Sequence, residues 1–139
     1  MSSNTFNILM ADDDMEDVAL AKEIFVEKNA SINFQSVKDG ESLIDFLHAK
    51  NNNKAPDLIL LDLNMPRMDG REALKEIKTH SDFCKIPVTV FTTSQSRNDI
   101  EKAYTLGANC YVIKPTAFKD WEKTINAISN FWMDFVEIP

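Results

Sequence analysis

The sequence has few of the residues on which many functions depend. Only three glycines occur, Gly40, Gly70 and Gly107, each about thirty positions or more from the next, so no glycine-rich loop for a dinucleotide or a nucleoside triphosphate can be assembled. The two cysteines, Cys84 and Cys110, form no Cys-x-x-Cys pair. That speaks against a disulfide framework and a structural zinc, and suits free thiols in a reducing cytoplasm. No catalytic set is read around the two histidines, His48 and His80, and a solvated role is expected for both. A Gly-x-Ser-x-Gly nucleophile turn is missing. Positive charge is also in short supply. Fifteen basic residues face 22 acidic ones, a net charge of −7, which argues against a nucleic-acid partner and fits a basic protein surface, a metal cation or plain solubility. No apolar run approaches the length of a membrane span, and residues 1–6 lack the basic start and apolar stretch of a secretory leader.

What is present is an alternation. The chain has 139 residues, 44% apolar and 27% charged, which suits one soluble domain with a core large enough to need no staples. Short apolar runs at Phe6–Ala11, Ile32–Val37, Leu58–Leu61, Ile86–Thr92 and Cys110–Ile113 read as strands. Between them lie helical stripes: Val18, Ala21 and Phe25; Leu43, Ile44 and Leu47; Ala73, Leu74 and Ile77; Ile100, Ala103 and Tyr104. Gly107 is placed to stop the fourth helix. A last helix carries Phe118, Trp121, Ile125, Ile128 and Trp132. The polar stretch Asn51–Pro56 reads as a loop too short to separate domains. The pattern is (βα)₅, which predicts an α/β fold with a parallel sheet covered by helices on both faces. We expect a single domain over 1–139, with its core at about 6–130, a C-terminal helix and tail over 117–139, and no output domain.

Sites in open α/β sheets form at the carboxyl ends of the strands. Four of the runs end in polar residues: Asp12-Asp13-Asp14, Asp62, Thr92-Thr93-Ser94 and Lys114-Pro115. Taken singly, each has a bland reading. The acidic triple suits a helix N-terminus, Asp62 a turn, the hydroxyl triple a helix cap and Lys114 a solvated strand end. Taken together, they converge on one rim of the sheet. Carboxylates about 4 Å apart repel by roughly 4 kcal/mol at an effective dielectric near 20. A divalent cation with oxygen ligands offsets that cost, and Mg²⁺ is the usual ion where phosphate is handled by one or two carboxylates.

Four segments carry a family resemblance: Ile8-Leu9-Met10-Ala11-Asp12-Asp13-Asp14; Asp57-Leu58-Ile59-Leu60-Leu61-Asp62-Leu63-Asn64-Met65-Pro66-Arg67-Met68-Asp69-Gly70; Val90-Phe91-Thr92-Thr93-Ser94; and Gly107-Ala108-Asn109-Cys110-Tyr111-Val112-Ile113-Lys114-Pro115. The chain resembles, over nearly its whole length, the CheY-like receiver domains of two-component response regulators. The resemblance implies a flavodoxin-like sheet in the order 2-1-3-4-5 and a phosphoprotein that catalyses its own phosphorylation and dephosphorylation on aspartate. It implies Asp62 as phosphoacceptor, Asp13 as a direct Mg²⁺ ligand, Asp12 as its support through water, and the Asn64 backbone carbonyl as a further ligand. Lys114 is similar in place to the lysine that contacts the phosphoryl oxygens, Thr92 to the switch hydroxyl and Tyr111 to the aromatic that follows it. Pro115 resembles a proline that follows a cis peptide bond. The implied partner is a sensor histidine kinase or a phosphotransfer protein.

The polar loop 51–56, the acidic and hydroxyl triples and the tail Phe131–Pro139 also resemble single-domain regulators paired with bacterial phytochrome kinases. In that subgroup the C-terminal region can assist dimerisation, while packing of the tail on its own sheet remains equally open. The resemblance assigns no role to Asp14, and Thr116 stands where many receivers carry an apolar residue. Two other readings exist. A phosphorylation-independent adaptor would keep the fold and lose the chemistry, which the retention of Asp12, Asp13, Asp62, Thr92 and Lys114 disfavours. A haloacid-dehalogenase-type hydrolase would carry its nucleophile on the first strand with a second acid two residues on, whereas Asp62 closes the third strand and is followed at that distance by Asn64.

Overall fold

Successive apolar runs can bury both faces only if helices cover the sheet above and below, and the chain adopts that arrangement. A computed structural model describes residues 5–49 and 55–139. The start of the chain at 1–4 and most of the expected polar loop, residues 51–54, lie outside the described residues. The elements run β1 (Phe6–Ala11), α1 (Met15–Lys28), β2 (Ile32–Val37), α2 (Gly40–His48), β3 (Leu58–Leu61), α3 (Gly70–Thr79), β4 (Val88–Thr92), α4 (Arg97–Thr105), β5 (Cys110–Ile113) and α5 (Phe118–Asn130). The five strands are parallel and stand in the order β2-β1-β3-β4-β5.

The two-residue period of each strand sorts its side chains between two cores. Leu9, Ala11, Ile59, Leu61, Val88 and Val90 face α2 and α3 with Leu43, Leu74 and Ile77. Ile8, Met10, Leu58, Leu60 and Phe91 face α1 and α5 with Phe25, Trp121 and Ile125. β3 is central, and each of its four leucines and isoleucines is completely buried, which is why it reads as an unbroken apolar run rather than an alternation. Each such side chain contributes about 1.5–3 kcal/mol on leaving water.

Acidic and hydroxyl residues start the helices. Asp14, Asp39, Asp69 and Ser96 cap α1 to α4 by accepting backbone N–H bonds, a contribution of about 1 kcal/mol each. Gly107 ends α4 with φ +110°, a left-handed conformation open to glycine, as its position implies.

Two boundaries differ from the sequence reading. β4 begins at Val88 rather than Ile86, because Ile86 is held in the preceding turn by its N–H to the Phe83 carbonyl and Pro87 has no N–H for a ladder. The last helix does not run evenly to Trp132. It passes at Phe131 into a π-helical turn, Phe131–Phe135, closed by the Val136 N–H on the Phe131 carbonyl. Trp132 is buried there and its indole N–H donates to Thr89 Oγ1 at 3.0 Å, which ties the tail to β4 of its own sheet.

Candidate functional site

The register aligns the carboxyl ends of the central strands. Ala11 pairs with Leu61, Leu61 with Val90, and Val90 with Tyr111. Asp12 and Asp62 are therefore the next residues out on adjacent strands. Their backbones remain tied to the sheet: the Asp12 N–H donates to the Val37 carbonyl, Asp62 N–H to that of Ala11, and Lys114 N–H to that of Thr92 at 2.7 Å. Side chains projecting from such a rim are held at their base by the ladder and converge at their tips.

Asp12, Asp13 and Asp62 each offer a carboxylate oxygen, and these oxygens all lie within 4.8 Å of one another. Asp12 and Asp62 are buried, while Asp13 faces solvent. The Lys114 ammonium, almost wholly buried, stands 2.7 Å from Asp12 Oδ2 and 3.4 Å from Asp62 Oδ2. Its third neighbour is Asp17 Oδ2 at 2.8 Å. Asp12 Oδ1 is occupied by the Asp14 N–H at 2.9 Å, but no hydrogen-bond donor is aligned on the buried Asp12 Oδ2, whose Lys114 contact is one of charge. An all-oxygen donor set with an under-coordinated buried carboxylate oxygen fits a hard divalent cation.

Protonation follows from the same geometry. Burial is the main force on Asp12 and pushes its carboxyl up to about 6, with the nearby Asp62 charge adding to it and Lys114 and the Asp14 N–H pulling back. For Lys114, burial favours the neutral amine, but the close carboxylates of Asp12 and Asp17 and the Asp62 charge together outweigh it and drive its proton affinity up, so the ammonium is charged. The site thus presents a fixed cation beside an acidic cluster.

The remaining expected residues lie around this centre. Asn64 is exposed, two positions after Asp62, with its N–H 3.4 Å from Asp62 Oδ1. Thr92 is fully buried at the end of β4, and its hydroxyl accepts from the Ser94 N–H at 3.5 Å. Tyr111 reaches from β5 to the loop after β4, its hydroxyl donating to the Ser94 carbonyl at 3.0 Å. Ser94 Oγ donates to Asp99 Oδ2 at 2.7 Å, and Asp99 Oδ1 accepts from Arg71 at 3.0 Å. This chain of bonds connects α3, α4 and β5.

Several expectations change. The peptide bond before Pro115 is trans, not cis. Trans is the lower-energy isomer, and the Pro115 carbonyl there accepts from the Trp121 indole N–H at 3.0 Å. Asp14 acquires a role: it caps α1, its Oδ1 accepting from the N–H groups of Glu16 and Asp17. His48 is exposed, as expected, and His80 half-buried, but the two are not isolated from each other. They end α2 and α3 and meet around Phe83, with His80 and Phe83 stacked at 4.1 Å between ring centroids. Asp17 was missed, because an acid in the first turn of a helix is fully accounted for by the helix dipole; nothing local marks its reach to Lys114, 97 positions away. Cys84 and Cys110 are free thiols, and no helix among the described residues is long and apolar enough to cross a membrane.

Comparison with known proteins agrees with this geometry. The family model of the response regulator receiver domain matches residues 8–126. The chain is 38% identical over 135 residues to Response regulator Rcp1 of Synechocystis sp., covering 95% of this chain and 92% of that protein. Among solved structures, it superposes on the phosphorylated cyanobacterial phytochrome response regulator RcpA with a TM-score of 0.93 at 33% identity, covering 97% of this chain and 99% of that one. It superposes on the Mn²⁺-bound form of Rcp1 with a TM-score of 0.85 at 38% identity, covering 96% and 99%.

Proposed function

This chain belongs to the response regulator receiver domain family, and on that premise we propose that it takes a phosphoryl group onto Asp62 from a phosphohistidine of its partner, with Mg²⁺ as the divalent ion. The observation that carries this reading is the placement of a buried, charged Lys114 at 3.4 Å from Asp62 Oδ2, with the Asp12 and Asp13 carboxylates gathered beside that same residue. In the forward step an Asp62 carboxylate oxygen attacks phosphorus, the phosphorus–nitrogen bond breaks, and the electron pair leaves on the imidazole. Lys114 stabilises charge on the equatorial oxygens, so the protein contributes position and electrostatics rather than covalent chemistry of its own. Asp12 and Asp13, with Asp62 and the Asn64 carbonyl, would hold the metal, which supplies further neutralisation of the phosphoryl charge.

Two-component signalling by phosphorylation is the function of this family, and a histidine kinase or phosphotransfer protein is the partner class. The likeness to Rcp1 and RcpA favours a phytochrome-type kinase. Thr92 and Tyr111 supply the switch. The Thr92 hydroxyl lies at the end of β4, and Tyr111 holds the loop that follows it through Ser94. A phosphoryl group that recruits Thr92 changes that loop and with it the α4–β5–α5 face. Exposed Tyr104, Ile113, Phe118 and Phe131 offer that face a partner protein or a second copy of the chain. The free thiols of Cys84 and Cys110 suit the cytoplasm. The adaptor reading is not favoured, since the whole residue set of the chemistry is retained.

The test is labelling with acetyl phosphate and Mg²⁺. One phosphoryl group per chain is expected, lost in Asp62→Asn. Normal labelling of that variant would overturn the assignment.

A further inference from the structure

Lys114 has three N–H donors and three carboxylates facing it, from Asp12, Asp17 and Asp62. Asp12 and Asp62 are claimed by the chemistry proposed above. Asp17 is not: its carboxylate lies outside the group of oxygens close enough together to share an ion. It nevertheless makes one of the two shortest contacts to the ammonium, at 2.8 Å. It is also well anchored. Asp17 sits in the first turn of α1, where the Asp14 cap accepts its N–H at 3.2 Å, and its side chain is three-quarters buried.

A lysine needs such an anchor. Its four-carbon stem is flexible and carries about 2 kcal/mol of rotamer entropy. The base of Lys114 is fixed by the sheet through its N–H on the Thr92 carbonyl. Without a second hold, the ammonium is free to fall between Asp12 and Asp62, onto the nucleophile and into the space the cation needs. Asp17 pulls from the side of α1 instead.

We propose that Asp17 is a positioning residue for phosphoryl transfer: its carboxylate holds the Lys114 ammonium beside Asp62, in place both when the phosphoryl group arrives and when it leaves. The inference rests on the assignment of Asp62 and Lys114 made above. Because the same cation serves formation and hydrolysis of the acyl phosphate, losing the anchor slows both.

The experiment measures two rates, uptake from acetyl phosphate at saturating Mg²⁺ and loss of the label afterwards. The proteins compared are the wild type, Asp17→Asn, Asp17→Ser, Asp17→Glu, Lys114→Ala and the double variant Asp17→Asn/Lys114→Ala, each with its fold checked by circular dichroism. Asp17→Asn and Asp17→Ser are expected to slow both rates roughly tenfold, less than the roughly hundredfold cost of a full ångström's misplacement because Asp12 still holds the ammonium, and Asp17→Glu to recover part of the loss. In the Lys114→Ala background the Asp17→Asn change is expected to move neither rate by more than about twofold, because its effect passes through the lysine. Equal slowing with and without Lys114 overturns the proposal, as do unchanged rates or faster uptake in Asp17→Asn. A wild type that takes no label removes the site assignment and this inference together. A wild type that labels, a slow Lys114→Ala and an unaltered Asp17→Asn remove the inference alone.

Discussion

Gly70 lies so close to Asp62 that a Cβ built on it would stand 2.2 Å from the Asp62 carbonyl oxygen and 2.7 Å from the Leu63 Cα. The Gly70 N–H donates to the Leu63 carbonyl at 2.9 Å, and the Asp62 N–H is held by Ala11. The short segment carrying the proposed nucleophile is therefore clamped between the sheet and the first residue of α3. The obstructing atoms are backbone, which cannot rotate aside.

Gly70→Ala is expected to destabilise the fold by about 1–3 kcal/mol, the usual cost of forcing atoms into a filled space. It should also slow labelling of Asp62, since relief requires moving the loop or the helix. Urea unfolding and the acetyl phosphate assay read the two effects. A variant as stable and as fast as wild type would show that the clamp is unimportant.

Arg67 is the one described non-glycine residue with positive φ, at +70°, and its guanidinium pairs with Asp39 and Glu41. The backbone strain is about 1 kcal/mol, and the ion pairs of a guanidinium this open to solvent are largely screened. Arg67→Gly removes both strain and clasp; Arg67→Ala removes only the clasp. We expect the glycine variant to be the more stable of the two by about 1 kcal/mol in denaturant titrations.

Divalent-ion binding should depend on pH through Asp12, whose carboxyl is pushed up to about 6 by burial. A metal and a proton compete for that carboxylate. Affinity for Mn²⁺ or Mg²⁺ by titration calorimetry is expected to be level above pH 7 and to fall about tenfold by pH 5, with proton uptake on release of the ion. In the metal-free protein the sign for stability is the reverse of the ordinary aspartate case. A raised carboxyl stabilises the fold fully below the unfolded value of 3.8, and that contribution disappears as pH rises through about 6. Constant metal affinity from pH 5 to 7 would remove Asp12 from the ion's ligand shell.

Asp99 joins Arg71 to Ser94, whose carbonyl receives the Tyr111 hydroxyl. The Ser94 hydroxyl and then Arg71 hold its carboxyl below the ordinary 3.8, so its contribution to stability is full above that value and is lost as pH falls through the lowered one. α4 buries only Ala103, so little else pins it. Asp99→Ala is expected to speed amide hydrogen exchange at residues 94–100 while leaving β3 unchanged. Uniform acceleration across the sheet would mean that the network supports the whole fold rather than this loop.

Much of the fold was legible because its signals are local. The unbroken Leu58–Leu61 run marks a strand covered on both sides, and the spacing of Trp121, Ile125 and Ile128 marks a helix lying on a sheet. Boundaries were less so. The start of β4 depends on which carbonyl takes the Ile86 N–H, and the π-turn at Phe131 on where Trp132 finds a partner for its indole. The first is a turn bond three residues long that competes with the ladder, and the second a contact 43 positions away in sequence. The cis bond expected before Pro115 came from resemblance, and no feature of the local sequence could have corrected it.

The order of apolar and polar residues determined by itself the five parallel strands, the two covered faces and the rim at which Asp12, Asp62, Thr92 and Lys114 come out, because period and run length are properties of neighbouring residues. Only the tertiary structure decided that Asp17 reaches Lys114, that Gly70 lies against Asp62 and that Asp14 is a cap rather than a member of the ion's cluster. Each of these depends on distances of a few ångströms between helix termini and strand ends. Those distances are set by how the helices settle on the sheet, and no stretch of sequence records them.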